Sequence, residues 1–295
     1  MRTTRRGGAA LLTALLVLLT TASLPAEALT LQRTWTARVG SSGTNGAIRM
    51  RAYTDGSGSI SYALKGLRAN ATYSVSIRKG TCSKLGTIVA RPTSVRTSTT
   101  GTVARTNPLL DMQMHYIWTA ARSPSFVVRL VSGTSSRCGP FTFPHATRVT
   151  VSSVGINLPV IRGTSSYPKC GVAMYLPEVA QPREPGITFL YAHARRGMFL
   201  PLLTRWKADR GASLIGKTVK VYTSDSYVVN YRINKVRVTS KPMTGVRTLA
   251  TSRLWLQTST GPNTSYPKLI VEAYRISTLK TTYAASHPTP HPYSC

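Results

Sequence analysis

The chain has 295 residues and a formal charge of +30, with 38 Lys and Arg against eight Asp and Glu. A hydrophobic content of 42% with only 16% charged residues excludes a disordered polyelectrolyte and leaves room for two ordinary cores. A surface this basic draws polyanions, but the charges are scattered, and no helix-turn-helix, zinc-finger or RNP pattern accompanies them, which argues against nucleic acid.

In chain order, Arg2, Arg5 and Arg6 precede an apolar run over residues 9–19, and Ala26 and Ala28 then form an A-x-A cleavage site. The run falls well short of the roughly 20 residues that a stable membrane span needs. Residues 1–28 are therefore expected to be a signal peptide cut after Ala28, with the protein secreted or displayed at the cell surface. Retention as an uncleaved anchor is the other reading. Removal of the segment takes away three arginines and one glutamate and leaves +28.

Residues 29–145 are short β runs punctuated by turns. Residues 47–53 and 60–64 alternate apolar and polar side chains on either side of an Asp-Gly-Ser-Gly-Ser turn, which is a hairpin pattern. Further strands are expected at 73–77, 86–90 and 126–131. Their spacing and Gly/Ser turns predict a β-sandwich-like domain. His115, within 112–118, reads as a core or strand-face histidine.

Residues 146–278 form a second β-rich region, with strands expected near 148–154, 158–161, 187–191, 218–222, 226–233 and 269–274. Phe199, Leu202, Leu203 and Trp206 recur at helical spacing and predict a short helix over 198–207, with Pro201 admissible in its first turn. Residues 279–295 carry several prolines together with His287 and His291, and are expected to be an extended, loosely packed tail.

Four cysteines in an exported chain read as a disulfide framework with three possible connectivities, and no C-x-x-C zinc spacing is present. Cys82 and Cys138 share the first domain beside Gly-rich turns and are expected to pair. That leaves Cys170 with Cys295, which would tie the tail to the second domain; a free, reactive Cys170 is the alternative. The acids beyond the signal segment are Asp55, Asp111, Glu178, Glu184, Asp209, Asp225 and Glu272. They form no local cluster, so a carboxylate-bound metal or a paired-carboxylate site is poorly supplied. No metal and no cofactor is expected.

Three segments carry the chemistry. In 190–199 (Leu-Tyr-Ala-His-Ala-Arg-Arg-Gly-Met-Phe) a histidine, His193, ends a β run ahead of a helix. In 254–260 (Leu-Trp-Leu-Gln-Thr-Ser-Thr) an apolar strand ends in hydroxyl residues. In 268–273 (Lys-Leu-Ile-Val-Glu-Ala) a strand opens with a cation. This order, together with 214–222 and 231–236 as paired central strands, resembles the sortase family of cell-surface cysteine transpeptidases over residues 148–277. The resemblance implies a closed β-barrel for the second domain, so the chain is expected to be all-β, with a sandwich-like domain followed by a sortase-like barrel.

The family's strand-end motif is T-L-x-T-C, and arginine opens its next strand. Here Ser259 stands at the cysteine position and Lys268 at the arginine position, while His193 keeps its identity. The resemblance implies peptide acyl transfer or hydrolysis at the cell surface, with His193 as acid/base, Ser259 as nucleophile and Lys268 as the oxyanion or substrate contact. The standard Cys-His-Arg site is not intact, because a serine hydroxyl needs a base at the moment of attack and lysine lacks arginine's planar fork. Cys170 is the alternative nucleophile. A base acting on serine would also need a third group to orient it, for which Glu272, Asp225 and Glu178 are candidates only by default. The expected partner is a peptide resembling a sorting signal, with anionic wall polymers or a membrane surface as further partners. The alternative to an enzyme is a non-catalytic pseudoenzyme whose sortase-like module binds peptides or anionic wall polymers. N-terminal sequencing of the secreted protein is expected to begin at Leu29; a start at Met1 in a membrane fraction would show retention instead.

Overall fold

The computed structural model describes residues 31–40, 45–53, 55–120, 126–163, 167–244, 251–261 and 267–295. The segment read as a signal peptide lies outside them. The first half consists of β1 (Leu31–Arg38), β2 (Asn45–Tyr53), β3 (Gly58–Lys65), β4 (Thr72–Gly80), β5 (Leu85–Ala90), β6 (Val95–Arg96), β7 (Val103–Leu109), α1 (Asp111–Ala120), β8 (Phe126–Ser132) and β9 (Ser135–Thr142). Alternation decides which face of each strand is buried: Trp35 and Ala37 on β1, Ile48, Met50 and Ala52 on β2, Ile60, Tyr62 and Leu64 on β3.

The strands form one curled sheet in the order β5-β4-β8-β9-β1-β2-β3-β7, with β6 on β4. Its two halves are joined where β1 meets β9, through only Thr36↔Thr142 and Ala37↔Phe141. They also meet through aromatic rings, as in a sandwich. Trp35 of β1 lies edge-on to Phe126 of β8 at 6.4 Å, and within its own half Phe126 stacks on Phe141 at 5.1 Å. A Cys82–Cys138 disulfide ties the turn between β4 and β5 to β9.

The segment around His115 is a helix, not a strand. The Gln113 side chain accepts a hydrogen bond from the Leu110 amide, half of a capping box, and Met114 and Ile117 are buried three residues apart. Capping and a three-residue apolar spacing set the helix here. His115 is exposed on that helix rather than in the core.

The second half consists of β10 (Ala146–Val151), β11 (Ile156–Arg162), β12 (Ala173–Tyr175), β13 (Gly186–Tyr191), α2 (Leu200–Asp209), β14 (Thr218–Thr223), β15 (Tyr227–Thr239), β16 (Ser252–Ser259), β17 (Lys268–Lys280) and α3 (Tyr283–Ser286). The eight strands close into a barrel in the order β10-β11-β12-β13-β16-β17-β15-β14. Pro201 sits in the first turn of α2, and Leu202 and Leu203 join the buried core.

The tail is packed, against the expectation of a loose end. Thr282 caps α3 by accepting from the Ala285 amide at 3.2 Å, and Ser286 is fully buried. His287 stacks on Tyr283 at 3.8 Å and bonds the Ser224 carbonyl at 3.2 Å. Cys170 and Tyr293 then exchange two backbone hydrogen bonds of 3.0 and 3.2 Å. The prolines suit this path because an extended strap leaves few amides to pair.

One buried cation joins the two halves. Arg33 of β1 is fully buried, with its guanidinium at 4.7 Å from the Phe143 ring and 5.5 Å from the Trp35 ring. Its Nε and Nη2 donate to the Glu184 carboxylate at 2.8–3.1 Å, Nη1 donates to the Pro177 carbonyl at 2.6 Å, and Nη2 also reaches the Val179 carbonyl. Glu184 in turn accepts from the Gln181 amide at 2.7 Å. The charge is thus matched in place, but removing its partner would strand it. Glu184→Gln is expected to lower the unfolding free energy by about 3 kcal/mol, a typical loss when one member of a buried pair is neutralised. Urea unfolding of the variant beside the parent chain measures it.

Candidate active site

The site is built from three neighbouring strand ends. β13 runs parallel to β16 with Tyr191 opposite Gln257, and the pairing continues past the strand: the Ala192 amide donates to the Gln257 carbonyl at 3.1 Å, and Thr258 Oγ1 donates to the Ala192 carbonyl at 2.9 Å. His193 therefore leaves β13 level with Ser259. On the other side β16 pairs antiparallel with β17, and Ser259 is the direct cross-strand partner of Lys268. Adjacent strands lie about 4.8 Å apart, so three backbone positions gather within about two strand spacings.

Strand parity selects the face. Leu254 and Leu256 of β16 and Leu269 and Val271 of β17 belong to the barrel core. Trp255 and Ile270, with Ile187, Phe189 and Tyr191 of β13, form a second apolar cluster with Val172, Met174 and Val179. Ser259 and Lys268 have the parity of that second cluster, so they extend it to the end of the barrel. The chain over 172–179 that covers this face leads into the loop held by Arg33.

His193 is half-buried. Its Nε2 lies 2.7 Å from the Pro168 carbonyl, and its ring lies edge-on to Tyr167 at 4.8 Å. A carbonyl can only accept, so Nε2 carries the proton and Nδ1 holds the basic lone pair. Burial depresses the imidazolium first. The hydrogen bond to Pro168 opposes this, and the cations Arg195 and Lys268 depress it further. Lys268 is itself depressed by burial.

Among the described residues, no carboxylate orients His193. Glu272 pairs with Arg237 and Asp225 with Arg183, while Glu178 acts on Arg162 and Tyr191. The orienting group is the Pro168 carbonyl, which sequence reasoning missed because a backbone acceptor leaves no residue signature.

Cys170 is not a free thiol; it is disulfide-bonded to Cys295. Both sulfurs and a ring nitrogen of His193 lie within 4.8 Å of one another. Arg195 completes the surround by donating to the Cys295 carbonyl at 3.5 Å. With the sulfurs joined, this group offers no thiolate to a metal ion. The closed bond instead occupies the space beside the imidazole.

A closed eight-stranded β-barrel with a histidine, a strand-end hydroxyl and a lysine on three adjacent strand ends defines the class of fold. Residues 149–276 match the family model described as Sortase domain, and the barrel is a sortase domain. No curated protein matches the sequence. Among solved structures, Streptococcus agalactiae sortase C1 in complex with MTSET is 15% identical, with a TM-score of 0.38, over 46% of this chain and 69% of that one. Listeria monocytogenes sortase A is 18% identical, with a TM-score of 0.37, over 46% of this chain and 91% of the other. Sortase C-1 of Actinomyces oris is 20% identical, with a TM-score of 0.37, over 44% and 71%. The assignment rests on the family model and not on these distant likenesses.

The environment of His193 fixes the sign of its pH dependence. A histidine whose folded value is depressed contributes stability above its unfolded value of 6.5 and loses it as pH falls below that value. NMR titration is expected to place the His193 midpoint below 6.5, and Lys268→Gln is expected to move it upward by removing a repelling cation.

Proposed function

We propose that the chain is an exported sortase-type protein that transfers or hydrolyses a peptide acyl group at the cell surface through a departed catalytic site. His193 acts as acid and base, Lys268 contacts the developing oxyanion or the substrate backbone, and the nucleophile is Ser259 while Cys170 is held in its disulfide. The observation that supports this reading most is the meeting of His193, Ser259 and Lys268 on three neighbouring strand ends, with His193 Nδ1 in its basic form. A neutral imidazole can take a hydroxyl proton in the transition state, and a nearby ammonium can stabilise the anion that develops.

The substrate would be a peptide resembling a sorting signal, and the +28 mature chain would hold it near anionic wall polymers or membrane headgroups. The paired disulfides and the A-x-A site support an extracytoplasmic setting. The second reading is a peptide- or polymer-binding module without turnover. Two replacements in a three-residue machine, and no carboxylate behind the histidine among the described residues, favour it.

Incubation with a quenched-fluorophore peptide library and a fluorophosphonate probe, followed by mapping of the labelled residue, separates the two readings. In the oxidised protein, Ser259→Cys with Lys268→Arg is expected to raise turnover about tenfold or more, because a thiol ionises far more readily than a hydroxyl and arginine restores a bidentate grip. Peptide binding with no turnover in the parent chain or in that variant would establish the binding module.

A further inference from the structure

The disulfide beside His193 is where the structure departs furthest from a simple strand-end site. Cys170 is 1% exposed, whereas Cys295 is exposed on the tail. The receiving surface is shaped for that tail. Gly171 has φ +78°, and a Cβ there would stand 2.7 Å from the His291 carbonyl and 3.1 Å from the Tyr293 ring, so only glycine lets the strap lie so close. Cys170 and Tyr293 pair through both of their backbone groups. Around the two sulfurs stand His193, Arg195 and the Pro168 carbonyl.

A disulfide needed only to anchor a tail gains nothing from an imidazole and a guanidinium around it. A thiolate does, since both favour the ionised sulfur. The geometry points to a redox-locked catalytic thiol: reduction of Cys170–Cys295 frees Cys170 beside His193 as the acyl-transfer nucleophile and releases the C-terminal strap from the site. This rests on the acyl-transfer reading above and names its nucleophile and its control.

The chemistry balances with a dithiol reductant. One reductant thiolate attacks the exposed Cys295 sulfur, forming a mixed disulfide and expelling Cys170 as thiolate. The second reductant thiolate closes the reductant's own disulfide and expels Cys295. The reductant is oxidised by two electrons and the protein disulfide is reduced by two. Protonated His193 and the Cys170 thiolate then form a pair. The thiolate attacks a peptide carbonyl, a C–S bond forms, and the C–N bond breaks as His193 gives its proton to the leaving amine. An acceptor amine, losing a proton to His193, then makes a new C–N bond and returns the thiolate.

The test uses the full mature chain with and without tris(carboxyethyl)phosphine, iodoacetamide as thiol probe, and the peptide library with hydroxylamine as acceptor. Without reductant no thiol should be labelled. After reduction, or in Cys295→Ser without reductant, Cys170 should be alkylated with a midpoint at least about one pH unit below the ordinary thiol value near 8.5, and His193→Gln should move that midpoint by a comparable amount. Acyl transfer should rise at least about tenfold on reduction, persist in Cys295→Ser without reductant, and vanish in Cys170→Ser. An ordinary midpoint unmoved by His193→Gln overturns the inference even if the oxidised protein turns peptides over. A depressed, His193-dependent midpoint with no turnover in any state upholds the paired thiol but removes both the acyl-transfer reading and the nucleophile assignment. Reduced-state turnover that survives in Cys170→Ser overturns the inference while leaving the acyl-transfer reading in place.

Discussion

A guanidinium held out of water between the curled sheet and the barrel is the constraint on which the rest depends. Arg33 cannot stay charged and buried unless its N–H groups are met, and Glu184 with the Pro177 and Val179 carbonyls meets them. Those partners all lie in the loop between β12 and β13, so that loop is fixed from outside the barrel. The same stretch of chain brings Val172, Met174 and Val179 over the outer face of β13, β16 and β17. The curled sheet thereby sets the wall beside the candidate site.

Hydrogen bonding at the strand ends carries that order to the reactive groups. The barrel pairs His193, Ser259 and Lys268 in register, but the orientation of the imidazole comes from Pro168, two residues before the disulfide. The segment 167–171 therefore has three tasks. It orients the histidine, packs a tyrosine ring on it and receives the tail. A change in any one disturbs the other two, because they share five consecutive residues.

Most of the barrel was legible because its strands are apolar runs or alternations, and α2 because Phe199, Leu202, Leu203 and Trp206 hold a helical period. The first domain was legible as hairpins at β2 and β3. What failed has local causes. Around His115, mixed apolar and polar residues fit a strand as well as a helix, and only the Gln113 cap and the burial of Met114 with Ile117 decide between them. The tail read as loose because proline content reports missing donors, not missing contacts; Ser286, His287 and Tyr293 supply the contacts. The two disulfide pairs could be reasoned from position. That one of them lies against His193 could not, because Cys170 and His193 are 23 residues apart on segments whose approach is fixed by the barrel.

The sparse acids explain the character of the site. Three of the seven beyond residue 28 are held by arginines: Glu184 by Arg33, Asp225 by Arg183 and Glu272 by Arg237. Asp209 is taken up by the Gly211 and Ser213 amides after α2, and Asp55 by Ser57 in its turn. Against a charge of +30 this leaves the neighbourhood of His193 dominated by Arg195 and Lys268. Such a field opposes an imidazolium standing alone and favours any anion placed beside it. Chemistry that needs a carboxylate behind the histidine is starved there, and chemistry that develops negative charge on sulfur or on a carbonyl oxygen is supported. The electrostatics of the whole chain and the sulfur atoms within 4.8 Å of the imidazole thus favour the same kind of reaction intermediate.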